Sequence, residues 1–150
     1  MRRFVRPGKF NLACNLFSSF GYFEREEDNL QVLRNLCESL AGGGVLVMEM
    51  LGKERLARVW KDSICADLPD GSVLLQRPRV GENWTRVHNQ WRLIKEGTAR
   101  SFEFQHYIYS GRELQDRLMV AGFKSLELYG DLQGLPYGLD ALRLVAVARK

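Results

Sequence analysis

The sequence predicts an α/β fold in which an open sheet carries an antiparallel β-meander. One observation behind this prediction is an apolar run at residues 10–17, followed by a segment of helical period and a second apolar run at residues 45–50. Another is the change to strand-like alternation between residues 72 and 109, after which one helix and two further strands follow. Because 150 residues suffice for one compact core, we expect a single domain over residues 1–150.

The first three elements form a strand-helix-strand unit. Residues 10–17 (FNLACNLF) are apolar almost throughout, which predicts a strand buried on both faces. Acidic residues at 24–28 favour a helix start there, and residues 42–44, all glycine, predict the helix C-cap. Residues 45–50 (VLVMEM) predict a second buried strand, so the unit is a right-handed βαβ crossover.

The middle of the chain predicts a short helix over residues 53–60 and then the meander. Its three β-rich stretches within residues 72–109 are separated by turn residues at 81–83 and at 96–97. In the central stretch Val87, Trp91 and Leu93 share one face, while His88 lies on the other, as expected for a sheet with one covered side.

The last third predicts a capped helix followed by two strands. Ser110 and Glu113 have the spacing of a capping box, and Gly122 ends the helix. Strands are predicted over residues 123–129 and 142–148, with a loop between them.

Composition excludes several classes of protein. With 45% hydrophobic and 27% charged residues, the chain is neither disordered nor of low complexity, and no apolar run is long enough to span a membrane. Nor does the N-terminal stretch have the apolar core of a signal peptide. The net charge of +4 comes from Arg2, Arg3, Arg6 and Lys9, so nucleic-acid and membrane binding are disfavoured.

The cysteines and histidines predict neither a disulfide framework nor a metal site. Cys14, Cys37 and Cys65 have unrelated spacings within or near apolar segments, which is typical of buried thiols in a reducing, cytoplasmic setting. The chain has two histidines and no Cys-x-x-Cys motif, so we expect no metal.

Several segments together carry a family resemblance. FNLACNLFSSFGYF, GGGVLVMEM, GRELQDRLMVAGF, KSLELYG and ALRLVAVARK closely resemble the C-terminal half of class I methyltransferases that use S-adenosylmethionine. The resemblance spans the whole chain and implies a partial Rossmann-like sheet made of the family's fourth to seventh strands. It also implies that residues 72–109 are the substrate-side insertion of small-molecule members.

Two features of that family have no counterpart in the sequence. These are the glycine-rich loop after the family's first strand and the acidic residue after its second, which hold the cofactor. Asn11 stands where the family commonly has Asp. We therefore expect the first strand to lie at an exposed edge, in a truncated relative or in a chain that pairs as a homodimer or with a second chain supplying the cofactor half.

The resemblance also implies site residues at the carboxyl edge of the sheet. Asn15, Leu16 and Phe17 are expected to face the cofactor, although Asn15 equally suits a cap of the following turn. Glu49 is either a buried acceptor near this edge or, as we favour, the residue at which its strand surfaces. The residues expected to bind the acceptor are Ser19, Phe20, Gly21, Tyr22, Trp91 and Tyr109.

His88 and His106 are the weak candidates for a catalytic base, because imidazole titrates near neutral pH. A surface or packing role is the alternative for both. The sequence thus favours an S-adenosylmethionine-dependent methyltransferase, or a truncated relative, acting on a small-molecule acceptor, and whether the chain is an active enzyme stays open. The alternatives are a non-catalytic dimerisation or partner-binding module and, less favoured, an RNA-binding domain that uses the meander arginines.

Overall fold

The structure is a computed structural model that describes residues 1–150 apart from the side chain of Glu82. Within the described residues the strands form two four-stranded sheets. The helices are α1 (Glu26–Ser39), α2 (Lys53–Val59) and α3 (Gly111–Ala121). The strands are β1 (Phe10–Asn15), β2 (Leu40–Met50), β3 (Ile64–Asp67), β4 (Val73–Gly81), β5 (Arg86–Lys95), β6 (Thr98–Tyr107), β7 (Ser125–Tyr129) and β8 (Leu144–Arg149).

The first sheet has the strand order β1-β2-β8-β7. β1 and β2 are parallel, as the predicted βαβ unit requires, and β8 is antiparallel to both β2 and β7. Helices α1 and α3 contact each other and the sheet. In β2, Leu46 and Met48 are fully buried whereas Val45 and Val47 are half-buried. One face of this sheet therefore carries the main core.

β1 differs from its prediction as a strand buried on both faces. It pairs with β2 on one side and is the edge strand of its sheet. Phe10 and Leu12 are 41% and 57% exposed, and only the last residue of the strand, Asn15, is buried. An apolar sequence cannot bury both faces of a strand without neighbours to cover them, so the prediction of burial is wrong for β1.

The glycines at residues 42–44 lie within β2 and do not cap α1. The helix ends at Ser39, where Leu40 already has extended backbone angles and its N–H bonds to the Leu36 and Cys37 carbonyls. Phe10 pairs with Leu40 and Leu12 with Val45, so β2 bulges between these two pairs. Gly43, with a φ of 75°, lies in that bulge. The predicted C-cap is therefore wrong.

The second sheet, called the meander here, is antiparallel with the order β3-β4-β5-β6. The predicted turn between β5 and β6 is confirmed, since Glu96 and Gly97 both have positive φ, the geometry of a tight hairpin. The sequence did not predict β3, which extends the sheet outside residues 72–109. None of its four residues is buried, and without buried positions a strand leaves little hydrophobic signal.

The predicted capping box of α3 is confirmed. The Ser110 hydroxyl accepts from the Glu113 N–H at 3.2 Å, and the Glu113 carboxylate accepts from the Ser110 N–H at 2.8 Å. Lys53 of α2 also donates to the Glu113 carboxylate, at 2.7 Å. This cap therefore ties α2 to α3.

Of the three free cysteines, Cys37 is buried while Cys14 and Cys65 are exposed. The expectation of buried thiols is wrong for these two because each lies on an edge strand, β1 or β3. Within the described part of the chain, no helix has the length and hydropathy needed to cross a bilayer.

Candidate functional site

A cavity of about 320 Å³ lies where the carboxyl edge of the first sheet meets the meander. We call it the junction cavity. The loop after β1 contributes Ser18, Phe20 and Tyr22 to its wall, and α2 with the residues after it contributes an apolar side that includes Trp60. The third wall is the inner face of β4, β5 and β6. The cavity is thus built by both sheets and α2.

The loop after β1 has an unusual backbone. Phe17 and Ser18 have φ angles of 56° and 55°, the left-handed region that side chains other than glycine rarely adopt. The Phe17 N–H donates to the Glu49 carboxylate at 2.6 Å, and the Ser18 N–H donates to the Glu49 carbonyl at 3.1 Å. Because two bonds to β2 hold these residues, the loop keeps a costly conformation.

Glu49 is buried, with 6% of its side chain exposed, so the favoured interpretation that the strand surfaces there is wrong. Its carboxylate is ion-paired with Arg143, which precedes β8. The Arg143 guanidinium also reaches the Ser18 hydroxyl at 3.4 Å, and that hydroxyl accepts from the Leu51 N–H at 3.2 Å. This network joins the ends of three strands and fixes the loop.

The residues expected to face the cofactor lie in succession at the end of β1. Asn15 is buried, its amide nitrogen lies 3.8 Å from the Met1 sulfur, and its Oδ1 has no hydrogen-bond partner among the described residues. Among the described residues, the Asn15 side chain makes no hydrogen bond to the turn that follows β1. The alternative role of Asn15 as a cap of that turn therefore has no support. Leu16 is half-buried, whereas Phe17 is 85% exposed.

The residues expected to bind the acceptor are only partly brought together. Phe20 and Tyr22 line the junction cavity, whereas Ser19 closes a turn by donating to the Leu16 carbonyl at 2.5 Å. Gly21 accepts from the Tyr107 N–H at 2.8 Å, and a Cβ on Gly21 would lie 2.6 Å from the Tyr107 carbonyl oxygen. Glycine at this position is therefore needed for the loop to meet β6.

The two meander aromatics expected at the site have different positions. Trp91 lines the junction cavity, and its ring lies edge-on to Phe104 at 5.0 Å between centroids. Tyr109 belongs to the core behind the cavity, 2% exposed, with its ring 5.4 Å from that of Phe20. Burial raises the pKa of the Tyr109 hydroxyl well above its usual range. Tyr109 therefore supports the wall without forming its surface.

The meander separates the two candidate bases. His106 lines the junction cavity, stacks on Tyr22 at 5.2 Å and contacts the Asn89 amide through Nδ1 at 3.2 Å. Burial lowers the pKa of His106, which keeps the imidazole neutral. His88 is exposed on the outer face, in a more open depression that it shares with Arg77.

Comparison with known proteins gives matches among solved structures. No family model matches the chain, and no curated protein matches its sequence. The CcbJ methyltransferase from Streptomyces caelestis superposes with a TM-score of 0.77 at 20% identity, over 94% of this chain and 61% of that one. An S-adenosylmethionine-dependent methyltransferase from Clostridium acetobutylicum gives 0.82 at 14% identity, over 99% and 61%. The chain has a methyltransferase fold.

A third structure shows this methyltransferase fold with its cofactor. CalS10, an amino pentose methyltransferase from Micromonospora echinaspora, is similar with a TM-score of 0.64 at 20% identity, over 99% of this chain and 62% of its own. That structure contains bound S-adenosylmethionine. The present chain spans about three-fifths of the length of these structures. At such identities the likeness establishes the fold.

The end of β1 fits one side of the cofactor that this methyltransferase fold implies. Asn15 offers a buried oxygen without a partner among the described residues, and the exposed ring of Phe17 follows it. S-adenosylmethionine carries an ammonium donor and a planar base, which such groups are suited to contact. Asn15 and Phe17 are therefore the residues of this chain suited to contact it, and the role of Leu16 between them stays a prediction.

Sequence reasoning missed some of the cavity lining. Asn89 lies on the same face of β5 as Val87 and Trp91 by the alternation of the strand. The sequence therefore indicated its inward position. Trp60 ends the predicted short helix on its core-facing side, but its place in the cavity depends on how α2 packs against the meander. Its ring lies 5.8 Å from that of Trp84, a contact between segments whose sequences do not indicate it.

Proposed function

We propose that the chain forms the acceptor-binding part of an S-adenosylmethionine-dependent methyltransferase that acts on a small molecule. The observation that carries this proposal is the junction cavity at the carboxyl ends of β1 and β2, in a fold shared with S-adenosylmethionine-dependent methyltransferases. Ligands of open α/β sheets bind at this edge. The volume of about 320 Å³ lies at the lower end of the range for small-molecule sites, about 300–1,000 Å³.

The role of this chain is to orient the acceptor and exclude water. When bound, S-adenosylmethionine supplies a methyl group whose carbon–sulfur bond breaks as the acceptor's lone pair forms the new bond, leaving the bonding electrons on sulfur. Phe20, Tyr22 and Trp91 wall the acceptor, and the Glu49–Arg143 pair keeps the loop in place. His106 is neutral, and because the Asn89 amide N–H donates to Nδ1, the ring proton lies on Nε2, which can donate a hydrogen bond to the acceptor.

The proposal includes a partner that completes the cofactor site, either a second copy of this chain or another polypeptide. It is supported by the free edge of β1, where Phe10 and Leu12 are exposed. Such an apolar edge is a template for pairing with another strand. Association through β1 would also bring the partner next to Asn15, at the end of the same strand.

The first experiment is calorimetric titration of the protein with S-adenosylmethionine and S-adenosylhomocysteine, with sedimentation of the same sample. We expect micromolar binding by an associated species. Asn15→Ala is expected to weaken that binding about tenfold to a hundredfold, the effect of losing one hydrogen bond to a charged group. Asn11→Ala is the matched control, because Asn11 is exposed on the same strand and its loss leaves the binding edge intact.

A second candidate function is a non-catalytic module for dimerisation or partner binding. The same exposed apolar edge of β1 favours it, since that edge suits a protein interface regardless of catalysis. A stable dimer that binds neither compound would support the module and overturn the enzyme. A folded monomer without binding would contradict pairing through β1.

A further inference from the structure

The junction cavity has walls made largely of rings. Tyr22 of the loop stacks on His106 of the meander, with 24° between planes and 5.2 Å between centroids. Phe104 lies next to this pair, 6.4 Å from the His106 ring and 6.2 Å from Tyr22, and meets Trp91 edge-on. Such surfaces bind a flat ligand most favourably, because offset and edge-on ring contacts add binding free energy to that of the buried area.

Charge at the cavity opposes a cationic or strongly polar ligand. Among the described lining residues none is acidic, and the one charged residue is Lys61, which is exposed. An ammonium group moved from water into this apolar space would lack a carboxylate to offset its desolvation.

A few polar atoms remain to orient a ligand. Trp91 lines the cavity, and its indole Nε1–H is buried with no hydrogen-bond partner among the described residues. An unpaired buried donor costs about 1–3 kcal/mol, so a small turn of the indole that brings Nε1–H to an acceptor atom on a ligand would be favourable. His106 offers its Nε2 on the same sheet face, because Asn89 contacts Nδ1. These positions suit one oxygen or nitrogen on a ligand better than a ring of hydroxyls.

We propose that the junction cavity binds a flat, uncharged aromatic acceptor, made of one ring or of two fused rings, that carries a hydroxyl or a ring nitrogen. The substrate class rests on the proposed function, because it concerns the same cavity. It differs from the amino pentose that the name of CalS10 assigns to that protein. The rings of the loop and meander pack against the flat ligand, and Trp91 and His106 hydrogen-bond to its polar atom.

The test is calorimetric titration of the protein with 2-naphthol and, separately, with glucosamine, in the absence of any methyl donor. We expect 2-naphthol to bind at least tenfold more tightly than glucosamine. Trp91→Phe keeps a ring and removes the N–H, and we expect it to weaken 2-naphthol binding about fivefold. Arg92→Gln is the matched control, since Arg92 is exposed on the opposite face of the same strand.

A second variant keeps the test decisive if Trp91→Phe lowers stability. His106→Gln is expected to weaken 2-naphthol binding, while Gln105→Ala, which faces the outer depression, leaves it unchanged. Preferred binding of glucosamine, or 2-naphthol binding insensitive to both cavity variants, would overturn the substrate class. Because no methyl donor is present, these outcomes are independent of the S-adenosylmethionine titration, whose failure would overturn the proposed function instead.

Discussion

The first sheet and the meander bury their residues to very different extents. In the first sheet Leu46, Met48 and Ala146 are fully buried beneath α1 and α3. In the meander Val87 is the one fully interior position of β5, and most of β4 and β6 is half-buried or exposed. The first sheet therefore supplies most of the stability, while the meander is free to shape a binding wall.

The largest expected effect on stability tests directly whether the first sheet carries most of the core. Leu46→Ala should lower the free energy of unfolding by about 2–5 kcal/mol, because it leaves a void in a fully buried site. Leu93→Ala in the half-buried meander should cost only about 1 kcal/mol. Urea denaturation followed by circular dichroism measures both. Equal losses would show that the meander carries as much of the core as the first sheet.

A smaller effect is expected at the loop that joins the two regions. Glu49→Gln should cost about 1–3 kcal/mol, because it leaves Arg143 without its carboxylate in a mostly buried site. The exposed Arg112–Asp116 pair is the control, since Asp116→Asn should cost less than about 0.5 kcal/mol. Additive losses in the Glu49→Gln, Arg143→Met double variant would argue against a direct interaction, which predicts less than the sum.

The smallest effect concerns the cap that holds α2 against α3. Burial opposes ionisation of Glu113, but hydrogen bonds from Lys53 and the Ser110 N–H outweigh it and lower the pKa of the carboxyl. Its contribution to stability is thus present above the unfolded carboxyl pKa and lost as pH falls through the folded value. Glu113→Gln should cost about 0.5–1 kcal/mol at pH 7, and the deficit should shrink in acid.

Denaturation of the wild type and Glu113→Gln across acidic pH checks this expectation. A deficit that stays constant or grows as the pH falls would mean that the carboxylate's charge does not stabilise the cap. Met119→Gln is a suitable control, because Met119 is uncharged, exposed in the same helix and absent from the N-terminal cap.

Local sequence signals predicted much of the fold. The capping box at Ser110 and Glu113 and the tight turn at Glu96 and Gly97 depend on neighbours within four residues, so their chemistry is visible in the sequence. The βαβ unit follows from periods of hydrophobicity. β3 escaped prediction because it buries nothing, and the glycines at residues 42–44 were misread because a bulge and a helix cap both require glycine.

The candidate site was less predictable. The alternation of β5 placed Trp91 on the inner face, and the resemblance indicated the loop of Phe20 and Tyr22, yet the structure puts Tyr109 behind the cavity and His88 outside it. Distances across the cavity, such as that between Tyr22 and His106, depend on two sheets meeting. No local pattern encodes that meeting.

The sequence by itself determined the order of elements, the caps and turns, and which residues of each strand share a face, because these follow from interactions between near neighbours and from hydrophobic period. Tertiary structure decided which faces are covered. It left the faces of apolar β1 uncovered, buried Glu49 against Arg143, and placed one histidine in the cavity and the other outside. Burial depends on elements distant in sequence, so only the folded arrangement could assign it.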